Sequence, residues 1–230
     1  MIKRHLAYFS GWSLCLLLGL ESFCFAATYR VEPLEEAAPR TGLAPEISKL
    51  LLPVGSRVIR GKKTTYCDLW LVKSWSVKTG FQATAEVLYP FQPGQLVGVA
   101  RFSRKGAGYR DQDISKGVYT LRYAQQPMDG SHVGTSLTRD FLLLVRAEDD
   151  QLAESLAEEE LSTQSSEAAE SSHPLMLSMQ RPLTPVATTP ALRHNDEHDW
   201  WILSLAGELK AGDEQSRLRI ELVIVGQANE

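Results

Sequence analysis

Residues 117–124 read GVYTLRYA, and residues 140–147 read DFLLLVRA. Both are short, rich in aromatic and branched side chains, and bounded by turn-forming residues, which is the signature of β-strands. The same reading applies outward in both directions, to TTYCDLWLVKSW (64–75), QLVGVARF (95–102), WWILSLAGEL (200–209) and RLRIELVIVG (217–226). In the last of these Leu218, Ile220, Leu222 and Ile224 alternate with Arg217, Arg219 and Glu221, the two-residue period of a half-buried strand. Phe81, Ala83, Ala85 and Val87 alternate with Gln82, Thr84 and Glu86, which predicts another. Pro90, Pro93-Gly94, Lys105-Gly106, Gly108 and Ala211-Gly212-Asp213 punctuate the runs. Strands do not alternate with helices, so a parallel α/β sheet is not expected. The expected fold is all-β, an antiparallel β-sandwich of jelly-roll-like form, with one short acidic helix inserted.

That insertion falls in residues 148–172, EDDQLAESLAEEELSTQSSEAAESS, which hold no Lys or Arg. Leu152, Leu156 and Leu161 lie near helical spacing, and Asp149 or Asp150 is available as N-cap. The pattern predicts a helix over about 150–162, followed by an acidic, Ser-rich linker with a solvated face. RPLTPVATTPALRHNDEH (181–198) reads as a stiff, extended surface connection.

The N-terminus speaks to location. Lys3, Arg4 and His5 precede an uncharged run from Leu6 to Leu20, closed by Glu21. A basic head, a short apolar centre and small residues at Cys24 and Ala26 describe a secretory signal peptide cut near Ala26. The run is short for a permanent membrane helix; an uncleaved anchor is the alternative. Residues 1–26 are therefore expected to be a signal peptide, 27–55 an N-terminal extended segment, and 56–230 one β-sandwich domain with no stable membrane anchor after cleavage. Removal of Lys3, Arg4 and Glu21 takes away one net positive charge, so the formal charge moves from −4 to −5. An acidic chain without clustered Lys and Arg argues against a nucleic-acid partner. Cys15 and Cys24 leave with the signal, and Cys67, alone in an apolar run, is expected to be a small buried hydrophobe.

Common catalytic signatures are absent. There is no phosphate loop, no G-x-S-x-G turn, no H-E-x-x-H and no C-x-x-C. Spacing also excludes an EF-hand in the acidic segment. What remains is the connection QPMDGSHVGTSLTRDF (126–141), long for a link between two strands. Asp129-Gly130 is a turn signal, and Asp129, His132, Arg139 and Asp140 are candidate ligand-binding residues. The same groups also serve a long turn that satisfies its own backbone. His194 and His198, with Asp196, Glu197 and Asp199, form a second polar cluster, read as a solvated loop or as metal ligands.

Residues 116–145, KGVYTLRYAQQPMDGSHVGTSLTRDFLLLV, carry a likeness as well. With FQPGQLVGVARF (91–102), His173-Pro174, and His198 near Trp200, they resemble a group of uncharacterised secreted proteins from environmental bacteria. That group shares a GxYTLRY…QPxDGxHxG…RDFLLL core; the acidic Ser-rich segment and Asp199 between His198 and Trp200 depart from it. The group carries no assigned activity, so the resemblance implies no reaction. It does single out His132, His173 and His198, each at a loop–strand junction. Loops of a sandwich cluster at its ends, so these three could meet as a site for a divalent transition metal. The expected function is a secreted or periplasmic binding or structural module with an envelope or extracellular partner. Two alternatives stand beside it, a metal-binding protein and a hydrolase using Asp129, His132 and Asp140.

Overall fold

The run Phe141-Leu142-Leu143-Leu144-Val145 offers no polar side to water, and the structure buries both of its sides. In the computed structural model, which describes residues 28–110, 112–127, 136–183 and 188–228, the chain is all-β with two helices. In chain order the elements are β1 (Tyr29–Leu34), α1 (Pro45–Leu50), β2 (Gly55–Arg60), β3 (Thr64–Leu71), β4 (Ser74–Val77) and β5 (Leu96–Phe102). There follow β6 (Gly106–Ala107), β7 (Asp113–Ile114), β8 (Gly117–Gln125), β9 (Asp140–Arg146) and α2 (Glu158–Ala169). The last are β10 (Met176–Gln180), β11 (Ala191–Asn195), β12 (Trp200–Ala211) and β13 (Glu214–Val225).

Apart from the small β6–β7 pair, the strands form one curled sheet in the order β1-β2-β3-β5-β8-β9-β10-β13-β12-β11. All neighbours on this path are antiparallel. The curl is made where strands change partners. Met176–Ser178 of β10 pair with β9, whereas Met179 and Gln180 pair with β13. Strand β12 shares one edge between β11, along Trp200–Ser204, and β4, in parallel along Glu208–Ala211. Because β4 begins three residues after β3 ends, the sheet returns towards its own beginning. There Tyr29 of β1 packs on Trp201 of β12, ring centroids 5.4 Å apart.

The inner face of the curl is one continuous apolar core including Trp70, Trp75, Tyr119, Leu142, Leu144, Leu203 and Leu222. Trp75 lies against Gly207, where a Cβ would come within 2.6 Å of the indole, so only glycine lets the ring approach. Cys67 is fully buried here, and burial pushes its thiol pKa well up, as expected of a structural cysteine. On the outer face Leu143 and Val145 pack with Leu156 and Leu161, and Phe141 packs with Tyr109, Trp200, Ile202 and Val223.

Three sequence expectations are corrected. The helix is not at 150–162 but at Glu158–Ala169, with Ala157 as N-cap and no side-chain cap bond. Its buried face is Leu161, Ser165 and Ala168, small enough to sit close to β9, and Glu158, Glu159 and Glu160 suit the positive end of the helix dipole. The acidic Ser-rich stretch is thus an amphipathic cover rather than a linker. The alternating residues 81–87 form no strand; Thr84 instead closes a local turn, its Oγ1 accepting the Val87 N–H at 2.9 Å. The connection 181–198 contains strand β11. Within 27–55, β1 is hydrogen-bonded along β2 and Ile47 of α1 is fully buried.

Asp150, an expected cap, is buried beneath the cover beside Arg122 of β8, and neither side chain is exposed. Arg122 Nε and Nη2 donate to the Asp150 carboxylate at 2.6 and 2.8 Å. Arg122 Nη1 donates to the carbonyls of Gly94 (2.7 Å) and Glu154 (2.8 Å), and Nη2 also to that of Leu152. All five guanidinium donors are satisfied inside the protein. Gly94, with φ +81°, has no room for a Cβ, which would overlap the Leu156 carbonyl. Removing one member of such a pair strands the other in a dry site. Asp150→Asn and Arg122→Met should each lower the unfolding free energy by about 3–5 kcal/mol in urea titrations, and the double variant by clearly less than the sum.

Candidate functional site

Where α2 and the Tyr109 cluster fail to meet over the outer face of β8, β9 and β10, a cleft of about 450 Å³ remains. Its floor is Ala124, Phe141, Leu143, Leu161 and Met176. Its rim carries Arg110, Arg139, Glu158 and His173. Tyr109 forms part of the wall; its backbone N–H donates to Met176 O at 2.9 Å and its hydroxyl hydrogen-bonds with Ser136 and Ser178. Burial pushes the phenol pKa up, so the wall is neutral.

Of the residues expected to form the site, Asp129 and His132 lie outside the described residues. Arg139 reaches the cleft. It is half-buried, its Nε donates to Gln126 O at 2.9 Å, and its backbone N–H donates to Glu86 O at 2.8 Å. Asp140, its neighbour, points away from this chemistry. It is fully buried and accepts the Leu88 N–H at 2.7 Å and the Tyr123 hydroxyl at 2.5 Å. Burial raises its pKa, and the hydrogen bonds from Tyr123, Leu88 and Tyr89 oppose the rise. Asp140 therefore anchors residues 88–89 to β9.

His173 lies exposed on the loop after α2, on the rim with Arg139, and its carbonyl accepts Gln112 Nε2 at 2.8 Å. His198 stacks on Trp200, ring centroids 4.3 Å apart, and Trp200 in turn packs on Tyr109 of the cleft wall. Among the described residues no group of three or more His, Cys, Asp or Glu is placed to hold a metal ion. His194 is engaged locally: Nδ1 lies 2.7 Å from Asp196 Oδ1 and Nε2 2.8 Å from Asp199 Oδ1, with the ring over Trp201. Two carboxylates on two ring nitrogens favour the imidazolium, chiefly through the Asp199 bond, and raise the pKa.

The sequence reading missed the floor of the cleft. Its signal was the unbroken apolar run of β9, because a strand with no polar alternation must be covered on both faces. Tyr109 and Arg110 carried no comparable signal. No described helix is long and apolar enough to cross a membrane. Comparison of the chain with protein-family models, with curated proteins and with solved structures finds no match in any of the three.

The His194 cluster gives a signed pH dependence. Its folded pKa lies above the ordinary 6.5, so its contribution to stability is complete below that value and is lost as pH rises through the folded pKa. His194→Gln should lower the melting temperature at about pH 5.5 and leave it unchanged at about pH 9, as read by thermal unfolding across that range.

Proposed function

We propose that the protein is a secreted or periplasmic binding module that holds a small, largely apolar ligand in the cleft beside α2. The carrying observation is the cleft itself, an apolar floor with a few polar groups on its rim and a volume within the range of small-molecule sites. The signal-like N-terminus supports the secreted part of this reading. The two arms of the curled sheet, joined where β10 changes partners, fit a flattened jelly-roll-like sandwich, an architecture that presents such a site on a rigid outer face. The metal-binding reading rests on His132, His173 and His198 and the hydrolase reading on Asp129, His132 and Asp140. Of the described members, His173 and His198 belong to no group of three metal-ligating residues, and Asp140 is engaged by Leu88 and Tyr123.

Ser162 of α2 lines the cleft and is half-buried. Ser162→Trp should fill the space without disturbing the inner core. An apolar fluorescent dye such as anilinonaphthalene sulfonate should bind the native protein at one site, and the variant at least about tenfold more weakly at equal thermal stability. Equal dye binding by the variant would remove the cleft from consideration.

A further inference from the structure

We infer that the ligand of this cleft is a monocarboxylic acid with an extended apolar body, a fatty-acid-like molecule; this rests on the binding reading above. The floor of Phe141, Leu143, Leu161 and Met176 has no charged group and suits a hydrocarbon or aryl body. The rim is not neutral, although the chain as a whole is acidic. It sets two permanent cations, Arg110 and Arg139, against one carboxylate, Glu158. A guanidinium presents paired N–H donors that match a carboxylate, and Arg139 uses only Nε for the Gln126 carbonyl among the described residues. Arg110 is exposed and pairs with no described carboxylate, unlike Arg57, Arg101 and Arg122 elsewhere in the sheet. One net positive charge on the rim is balanced by a monoanion. A dianionic phosphate would add a charge facing Glu158 that nothing on the rim offsets. A neutral alcohol would leave the net positive charge of the rim unbalanced.

The test uses calorimetric titration of the full chain with decanoate, decanol and decyl phosphate, on the native protein and on Arg110→Gln and Arg139→Gln. Arg110 makes no described bond, so its variant folds as the parent, and circular dichroism with thermal unfolding checks both. The expected result is decanoate binding at least about tenfold tighter than decanol and tighter than decyl phosphate, with each arginine variant losing roughly tenfold for decanoate and nothing for decanol. Equal affinities for decanoate and decanol, or arginine variants that bind decanoate as the parent does, would overturn the carboxylate assignment. Tighter binding of decyl phosphate would overturn it in favour of a phosphate ligand. If none of the three binds while the apolar dye still distinguishes Ser162→Trp from the parent, the acid assignment fails and the cleft reading survives. If the dye does not distinguish them either, both fail.

Discussion

Everything distinctive about this molecule's outer face depends on a cation with no access to water. Arg122 projects from β8 on the side away from the core, where a half-buried strand would show a polar residue to solvent. Instead the chain from Asp150 to Leu156 folds over it and supplies one carboxylate and two of the three carbonyls it binds. The third carbonyl, that of Gly94, also accepts the Leu156 N–H, so the cover is tied to the sheet at both ends. Buried ion pairs of this kind add little net stability over an apolar substitute, but they define one arrangement, since any other leaves charges unpaired. Here the arrangement defined is the starting point of α2, and hence the width of the gap between α2 and Tyr109.

The same device recurs across the sheet. Asp68 on β3 is fully buried between Arg57 on β2 and Arg101 on β5, each directly opposite it in register. Glu221 on β13 accepts Ser204 Oγ and Arg193, while its own N–H donates to the Tyr89 hydroxyl. Asp140 holds residues 88–89. Each buried carboxylate joins its strand to a neighbouring strand or loop, and together they account for how connections as long as 78–95 lie down on the sheet. Carboxylates employed in this way are not free for chemistry, which is why the hydrolase reading loses Asp140. The polar groups left over, Arg110, Arg139 and His173, are gathered at the rim of one cleft.

The strands that could be read from the chain are those whose packing is written in their own residues. β5, β8, β9, β12 and β13 are dense in aromatic and branched side chains, and each matches its expected run closely, whereas the run 64–75 is divided between β3 and β4. β2, between β1 and β3, also escaped, but most of the strands that did are edges and corners. β1, with Pro33 and Glu32, tolerates a proline because it is an edge. β11 has no fully buried residue, and β10, MLSMQ, divides its five residues between two partners. Helix α2 was misplaced because Ser and Thr lower its intrinsic propensity; it is held by packing of Leu161, Ser165 and Ala168 on β9. The candidate site was legible in part. Arg139 and His173 belong to the cleft, but the floor comes from positions whose significance lay in an apolar run too long for a strand with a wet face.

The central claim is that this covered outer face contains a binding cleft at one defined place. Methyl-resolved NMR during titration with decanoate tests it directly, because Leu143, Leu161, Met176 and Ala124 line the cleft whereas Leu142, Leu144, Leu203 and Leu222 lie in the inner core. The expected result is saturable shifts concentrated in the first set, with the second nearly still. Shifts of equal size in both sets, or shifts confined to methyls away from α2 and β9, would contradict it.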